Sequence, residues 1–77
     1  KGVTIIDPDT TYIGKDVLIG NDTIIFPNSY LDGQTIIGAN CKIGPNVMIH
    51  NALIQDCVII DNVVVKNQHI DIQTKQE

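Results

Sequence analysis

The chain has 77 residues, of which 43% are hydrophobic, and only Tyr12, Phe26 and Tyr30 are aromatic. This length allows one domain at most, and the composition favours a core of aliphatic side chains over a conventional globular core. A net charge of −4, with five basic residues that are all lysine and are not clustered, excludes the basic surface of a nucleic-acid or anionic-membrane binder. No apolar run is long enough to span a bilayer. The chain opens on Lys1 without a signal-peptide pattern, so we interpret it as an excised segment.

An aliphatic residue returns at every sixth position through the middle of the chain. The series is Ile13, Ile19, Ile25, Leu31, Ile37, Ile43 and Ile49. Four residues after each lies a mostly smaller or β-branched partner, in the series Val17, Thr23, Ser29, Thr35, Cys41, Val47 and the larger Leu53. A period of six fits neither an amphipathic helix nor simple strand alternation, and it is typical of a hexapeptide-repeat solenoid. We therefore predict an all-β parallel β-helix of about three coils, with both series facing inward.

The predicted elements follow in chain order. Residues 1–6 predict an entry strand that caps the first coil, and Asp7-Pro8-Asp9 predicts a turn. Coils of three hexads then occupy about 7–65, so residues 18 apart share a column. The position three after each aliphatic predicts a corner, because Asn and Asp tolerate tight turns better than most residues. These corner residues are Asp16, Asp22, Asn28, Gln34, Asn40 and Asn46.

The register slips in the third coil. Continuing by sixes would bury Gln55 and Asp61, which costs on the order of several kcal/mol for each unpaired group. A one-residue deletion at a corner restores the pattern without inverting a strand. Hexads then restart at Ile54 and Ile60, with Val58 and Val64 as their inward partners. The rest of the chain, 66–77, predicts a polar tail that is frayed or disordered.

The two cysteines, Cys41 and Cys57, predict free thiols. Cys41 falls at an inward position beside Thr23, whereas Cys57 falls near a corner, so their sulfur atoms would not meet. We interpret both as reduced thiols of a reducing compartment, without a catalytic or metal-binding role.

The outward residues of the predicted strands form three faces. Tyr12, Tyr30 and Met48 share one face, Leu18 and Ile36 share a second, and Ile24 and Lys42 share the third. Contiguous apolar stripes on two faces favour a partner, and three prisms around a three-fold axis would cover both, so we predict a homotrimer. The alternative is that the outward aliphatics reflect only strand propensity.

The opening segment 2–13, Gly-Val-Thr-Ile-Ile-Asp-Pro-Asp-Thr-Thr-Tyr-Ile, resembles a specific bacterial family. It is similar to the start of the β-helix in the bifunctional N-acetylglucosamine-1-phosphate uridyltransferase/glucosamine-1-phosphate N-acetyltransferases, and the likeness continues through the hexads 16–20, 31–35 and 43–45. The resemblance implies a left-handed β-helix in a cytoplasmic homotrimer. It also implies acetyl transfer from acetyl-CoA to glucosamine-1-phosphate, followed by magnesium-dependent coupling to UTP, which makes UDP-N-acetylglucosamine for the cell wall.

The same resemblance assigns no catalytic, cofactor-binding or metal-binding residue to this segment. Both active sites of the family belong to other regions, so the segment is expected to be structural, trimer-forming and inactive alone. His50 at a corner and His69 in the tail are expected to be ordinary exposed residues, without an acid partner placed beside them by the spacing. Two histidines do not supply the three-histidine zinc site of a carbonic anhydrase, and the threonines form no ice-binding ladder. The alternative function is a non-catalytic hexapeptide-repeat trimerisation scaffold.

Overall fold

The computed structural model describes residues 2–71. Within this range, twelve short strands wind into a parallel β-helix, with a single 3₁₀ turn at Pro8–Thr10. The strands are β1 (Thr4–Ile5), β2 (Tyr12–Ile13), β3 (Leu18–Ile19), β4 (Ile24–Ile25), β5 (Tyr30–Asp32), β6 (Ile36–Ile37), β7 (Lys42–Ile43), β8 (Met48–His50), β9 (Leu53–Ile54), β10 (Ile59–Ile60), β11 (Val64–Lys66) and β12 (His69–Ile70).

Every third strand stacks in the same sheet, which gives a prism with three flat sides. The sheet orders are β1-β4-β7-β10, β2-β5-β8-β11 and β3-β6-β9-β12, and every pair is parallel. This arrangement confirms the predicted all-β parallel solenoid and is consistent with its left-handed form. The solenoid has about four turns, one more than the spacing predicts, because β1 and β12 each add a strand to a sheet.

The register confirms that residues 18 apart share a column in the first coils. Ile13 pairs with Leu31, and Leu31 pairs with Ile49. The interior is a stack of these aliphatic residues, of which Ile25, Leu31, Ile43 and Ile49 are completely buried. Burying each such side chain contributes about 1.5–3 kcal/mol, so the column of repeated residues is the main source of cohesion between coils.

The coils shorten towards the end of the chain. The predicted deletion is present, because Ile37 pairs with Ile54, 17 residues later, and Val58 is buried as predicted. The shortening occurs at the corner formed by His50 and Asn51, where Asn51 takes a left-handed conformation with φ of 51°. Ala52 becomes the inward residue, so the prediction that Leu53 faces inward is wrong.

A second deletion lies at the corner that contains Asn62, and the spacing did not predict it. Ile49 pairs with Val65, 16 residues later, and Val65 is completely buried. The prediction that Val64 faces inward is therefore wrong, because the shorter corner turns it to the outside, where it is 59% exposed. Five-residue steps from Ile60 to Val65 and from Val65 to Ile70 keep the solenoid going.

The predicted polar tail begins too early. Lys66 ends β11, and Ile70 of β12 is buried against the core while pairing with Ile54. The sequence pattern was missed because these last steps have five residues rather than six. Residues 72–77 of the predicted tail lie outside the described residues.

Polar side chains inside the prism are paired with backbone groups. Thr23 Oγ1 donates to the carbonyl of Gly38 at 2.8 Å and accepts from the N–H of Cys41 at 3.1 Å. Thr35 Oγ1 donates to the carbonyl of Asp32 at 2.8 Å and accepts from the N–H of Ala52 at 3.3 Å. Among the described residues, no buried side-chain nitrogen or oxygen lacks a partner. The threonines thus join consecutive coils without the cost of an unpaired buried group.

Candidate functional site: two apolar faces and the corner between them

One side of the prism carries a continuous apolar and aromatic stripe, which we call the tyrosine face. Its outward residues are Tyr12, Tyr30, Met48 and Val64, aligned by the register of β2, β5, β8 and β11. The rings of Tyr12 and Tyr30 stack with centroids 4.9 Å apart and an interplanar angle of 24°. All four side chains are exposed. The predicted grouping of Tyr12, Tyr30 and Met48 on one face is confirmed, and the structure adds Val64.

The next side carries a second stripe, which we call the leucine face. Leu18, Ile36, Leu53 and His69 are aligned along β3, β6, β9 and β12. Leu18, Ile36 and Leu53 are exposed, and Leu18 is the most open at 62%. The predicted pairing of Leu18 with Ile36 is confirmed. The third side interrupts its aliphatic residues with Lys42, which lies between Ile24 and Ile59.

A cluster of polar side chains occupies the corner between the tyrosine and leucine faces. Asp32 and His50 end β5 and β8 and are direct register partners. His50 Nδ1 lies 2.6 Å from Asp32 Oδ1, and His50 Nε2 lies 3.0 Å from Asn51 Nδ2. Asn51 Oδ1 accepts from the backbone N–H of Gln34 at 2.7 Å. Four residues from two consecutive coils therefore form one hydrogen-bonded chain, with Asp32 and His50 both partly exposed.

The prediction that spacing places no acid beside His50 is wrong. Asp32 precedes His50 by 18 residues, the same interval that stacks Leu31 on Ile49. The corner was treated as a set of separate turns, whereas a solenoid stacks corners as strictly as strands. Adding the coil length to each polar residue would have found this pair.

Gly33 leaves the space that the cluster occupies. Its backbone has φ of 71°, and a Cβ at this position would meet the side-chain amide of Asn51 and lie 3.1 Å from His50 Nδ1. A larger residue would therefore face both backbone strain and a steric clash. The glycine thus permits the close approach of the two corners.

The charge of Asp32 also affects the tyrosine face. The carboxylate raises the pKa of Tyr30 above its ordinary value of 10.0, chiefly by Coulombic repulsion of the phenolate. Tyr30 is therefore neutral near physiological pH, and its hydroxyl can donate a hydrogen bond at this edge of the face.

The remaining candidates lie apart from this corner. His69 Nε2 lies 2.9 Å from Gln55 Nε2 on the exposed leucine face, so its predicted place in a polar tail is wrong. Cys41 is buried and Cys57 is exposed, and both are unpaired thiols, as predicted. Within residues 2–71, no three His, Cys, Asp or Glu side chains meet in a way that could hold a metal ion. The same residues include no helix long and apolar enough to cross a membrane.

Comparison with known proteins places this geometry in a family. The family model described as "Bacterial transferase hexapeptide (six repeats)" matches residues 10–51, which form the regular part of the solenoid. The chain belongs to the bacterial transferase hexapeptide family. The hexapeptide pattern and the 18-residue coil of this family are both present in the chain.

Curated relatives of this hexapeptide chain narrow the likeness further. It is 56% identical over 54 residues to the Bifunctional protein GlmU of Carboxydothermus hydrogenoformans, a match covering 70% of the chain and 12% of that protein. It is 51% identical over 70 residues to the GlmU of Clostridium botulinum strain Eklund 17B, covering 91% of the chain and 15% of the relative. It is 47% identical over 76 residues to the GlmU of Thermodesulfovibrio yellowstonii, covering 97% of the chain and 17% of the relative. The hexapeptide chain therefore spans about one-sixth or less of these relatives, and it resembles the predicted bifunctional family along most of its own length.

Proposed function

We propose that this chain is part of the acetyltransferase β-helix of a bifunctional enzyme that makes UDP-N-acetylglucosamine. The whole enzyme would transfer an acetyl group from acetyl-CoA to glucosamine-1-phosphate and then a uridylyl group from UTP to the product. The observation that carries the proposal is the 46–56% identity to several GlmU proteins, in a chain folded as the matching hexapeptide solenoid.

The proposal assigns a structural and trimer-forming role to the segment itself. The tyrosine and leucine faces meet along the Asp32–His50 corner, and each exposes a stripe of large apolar side chains. Exposed stripes of this kind are usually covered by a partner, and closed cyclic symmetry lets one subunit use two adjacent faces. The third face carries Lys42 in its centre and is the poorer candidate for burial.

Acetyl-CoA and magnesium belong, in this proposal, to other parts of the enzyme. Magnesium prefers carboxylate oxygens and phosphate groups. Within residues 2–71, no three acidic, histidine or cysteine side chains meet, so this segment offers no such centre. We propose a cytoplasmic location because the substrates are cytoplasmic metabolites and both cysteines are unpaired.

A chimaera tests the proposal. Residues 2–71 replace the aligned residues of the Clostridium botulinum GlmU, to which the chain is 51% identical. We expect the chimaera to release CoA from acetyl-CoA with glucosamine-1-phosphate, and pyrophosphate from UTP, at rates within about tenfold of the parent because matched coils preserve the scaffold.

The second candidate is a non-catalytic trimerisation scaffold, which the apolar faces would serve equally well. A chimaera that folds and assembles but lacks acetyl transfer would contradict the proposed function and favour the scaffold. A matched control carries Ile59→Lys on the third face, where the side chain is 70% exposed and we expect no loss of either activity.

A further inference from the structure

The hydrogen-bonded chain at the Asp32–His50 corner has only one consistent arrangement of hydrogens. The backbone N–H of Gln34 can only donate, so the side-chain atom of Asn51 that it reaches at 2.7 Å is the oxygen. The amide nitrogen of Asn51 then faces His50 Nε2 at 3.0 Å. Because that amide nitrogen can only donate, Nε2 accepts and carries no hydrogen. The imidazole hydrogen is therefore on Nδ1, which donates to Asp32 Oδ1 at 2.6 Å.

We propose that His50 is a proton-operated latch between two consecutive corners of the solenoid. The neutral Nδ1–H form closes the chain from Asp32 through His50 and Asn51 to Gln34. A proton taken up at Nε2 turns the acceptor of Asn51 into a donor. The carboxamide of Asn51 must then leave His50, or rotate and present its NH₂ group to the N–H of Gln34. One corner-to-corner hydrogen bond is lost in either case.

The groups facing His50 bear on both states of the latch. Asp32 on β5 contacts the ring and favours the charged form, whereas Lys66 on β11 is the register partner of His50 on its other side and opposes it. Tyr30, two residues before Asp32, stays neutral because its pKa is raised. Gly14, which approaches the backbone of Asp32 from the first coil, adds no charge. The imidazole thus lies between an acid and a base in one stack.

The latch uses contacts within a single chain and is independent of the proposed activity and assembly. Its position gives it consequences nonetheless, because Gln34 leads into β6 of the leucine face while Met48 precedes His50 on the tyrosine face. Opening the latch frees the corner that joins these two faces.

Nitrogen NMR of the uniformly ¹⁵N-labelled 77-residue chain tests the latch directly. At neutral pH, we expect the proton of His50 on Nδ1 and a bare Nε2. As the pH falls, the backbone amide signal of Gln34 should move with the same midpoint as the His50 ring, while the His69 ring titrates without affecting it. A proton on Nε2 at neutral pH, or a Gln34 amide that ignores the protonation of His50, would overturn the proposal.

The substitution Asn51→Asp gives a second test. It keeps the oxygen that accepts from Gln34 and replaces the NH₂ donor with an acceptor, so both imidazole nitrogens now face carboxylate oxygens. We expect the protonation midpoint of His50 to rise by about one pH unit or more. Asn67→Asp is the control, because Asn67 also has a positive φ and contacts His50 only through its own backbone N–H, at 2.9 Å from the carbonyl. Equal shifts in the two variants would mean that added charge, and not the lost donor, moves the midpoint, which would overturn the latch.

If Asn51→Asp fails to fold, His50→Gln in its place supplies the comparison. Glutamine presents a donor and an acceptor at all pH values, so the Gln34 amide should lose the titration that His50 causes. Persistence of that titration in His50→Gln would contradict the proposal.

Discussion

At the scale of single residues, the two cysteines show how the solenoid separates equal chemistry into different environments. Cys41 is buried, and its thiol lies 3.1 Å from the carbonyl of Gln55, to which it can donate. Burial raises the pKa of the Cys41 thiol, so it remains protonated and unreactive. Cys57 instead turns a corner in the left-handed conformation, with φ of 64° and an exposed side chain. The sequence position relative to the hexad decides which thiol meets solvent.

A thiol reagent should therefore distinguish the two cysteines. We expect Cys57 to be labelled at least about 100-fold faster than Cys41, because Cys41 reacts only when the coil opens. Mass spectrometry of quenched time points measures both rates in one sample, and the Cys57→Ser variant isolates the slow site. Comparable rates in the native chain would contradict the buried placement of Cys41.

The tyrosine face should carry a measurable signature of Asp32. In a Tyr12→Phe background, where Tyr30 is the only tyrosine left, phenolate absorbance reports the Tyr30 titration alone. We expect its midpoint above 10.0 in the parent and lower in Asp32→Asn, because the main cause of the raised pKa is removed.

The sign of the linked stability follows from the raised pKa of Tyr30. The stabilisation is fully present below the ordinary value of 10.0 and is lost as the pH rises through the higher folded value. Asp32→Asn should therefore weaken this loss at alkaline pH. An unchanged Tyr30 midpoint in Asp32→Asn would show that another group raises the pKa.

At the scale of elements, the threonines join neighbouring coils through the interior. Thr23 is completely buried and holds the carbonyl of Gly38 and the N–H of Cys41 at a corner where two coils meet. A hydrophobic residue of the same shape would fill the space but leave both backbone groups without this partner. The polar interior position thus fixes one coil on the next.

Thr23→Val should reduce the free energy of unfolding by about 1–3 kcal/mol, because it leaves buried backbone groups unpaired while conserving volume. Thr4→Val on the exposed strand β1 is the matched control, with an expected change of less than about 0.5 kcal/mol. Chemical denaturation followed by far-ultraviolet circular dichroism measures both. Equal effects would indicate that the buried hydroxyl contributes nothing to cohesion.

At the scale of the whole molecule, assembly through the tyrosine and leucine faces remains a proposal with a clear test. Light scattering of the 8.4 kDa chain should give three times this mass if three copies associate. Met48→Lys on the tyrosine face and Ile36→Lys on the leucine face should each shift the mass towards the monomer, because burying an unpaired lysine charge opposes association.

Ile59→Lys is the control for assembly, because its side chain is 70% exposed on the third face and should not change the mass. A folded chain that is monomeric before any substitution would contradict the trimer. A trimer that dissociates only with Ile59→Lys would place the interface on the third face.

The sequence by itself determined the hexapeptide period, the aliphatic columns and the two apolar faces, because a repeat of six with alternating inward and outward residues allows one regular stacking. It also located the first shortened corner, since Gln55 and Asp61 could not be buried. Only the tertiary structure decided the second shortened corner, the outward position of Val64 and the burial of Ile70, because five-residue steps break the period while the core column continues. The contact of Asp32 with His50 likewise became visible only when coils were stacked, since its partners are 18 residues apart in the chain but adjacent across a sheet.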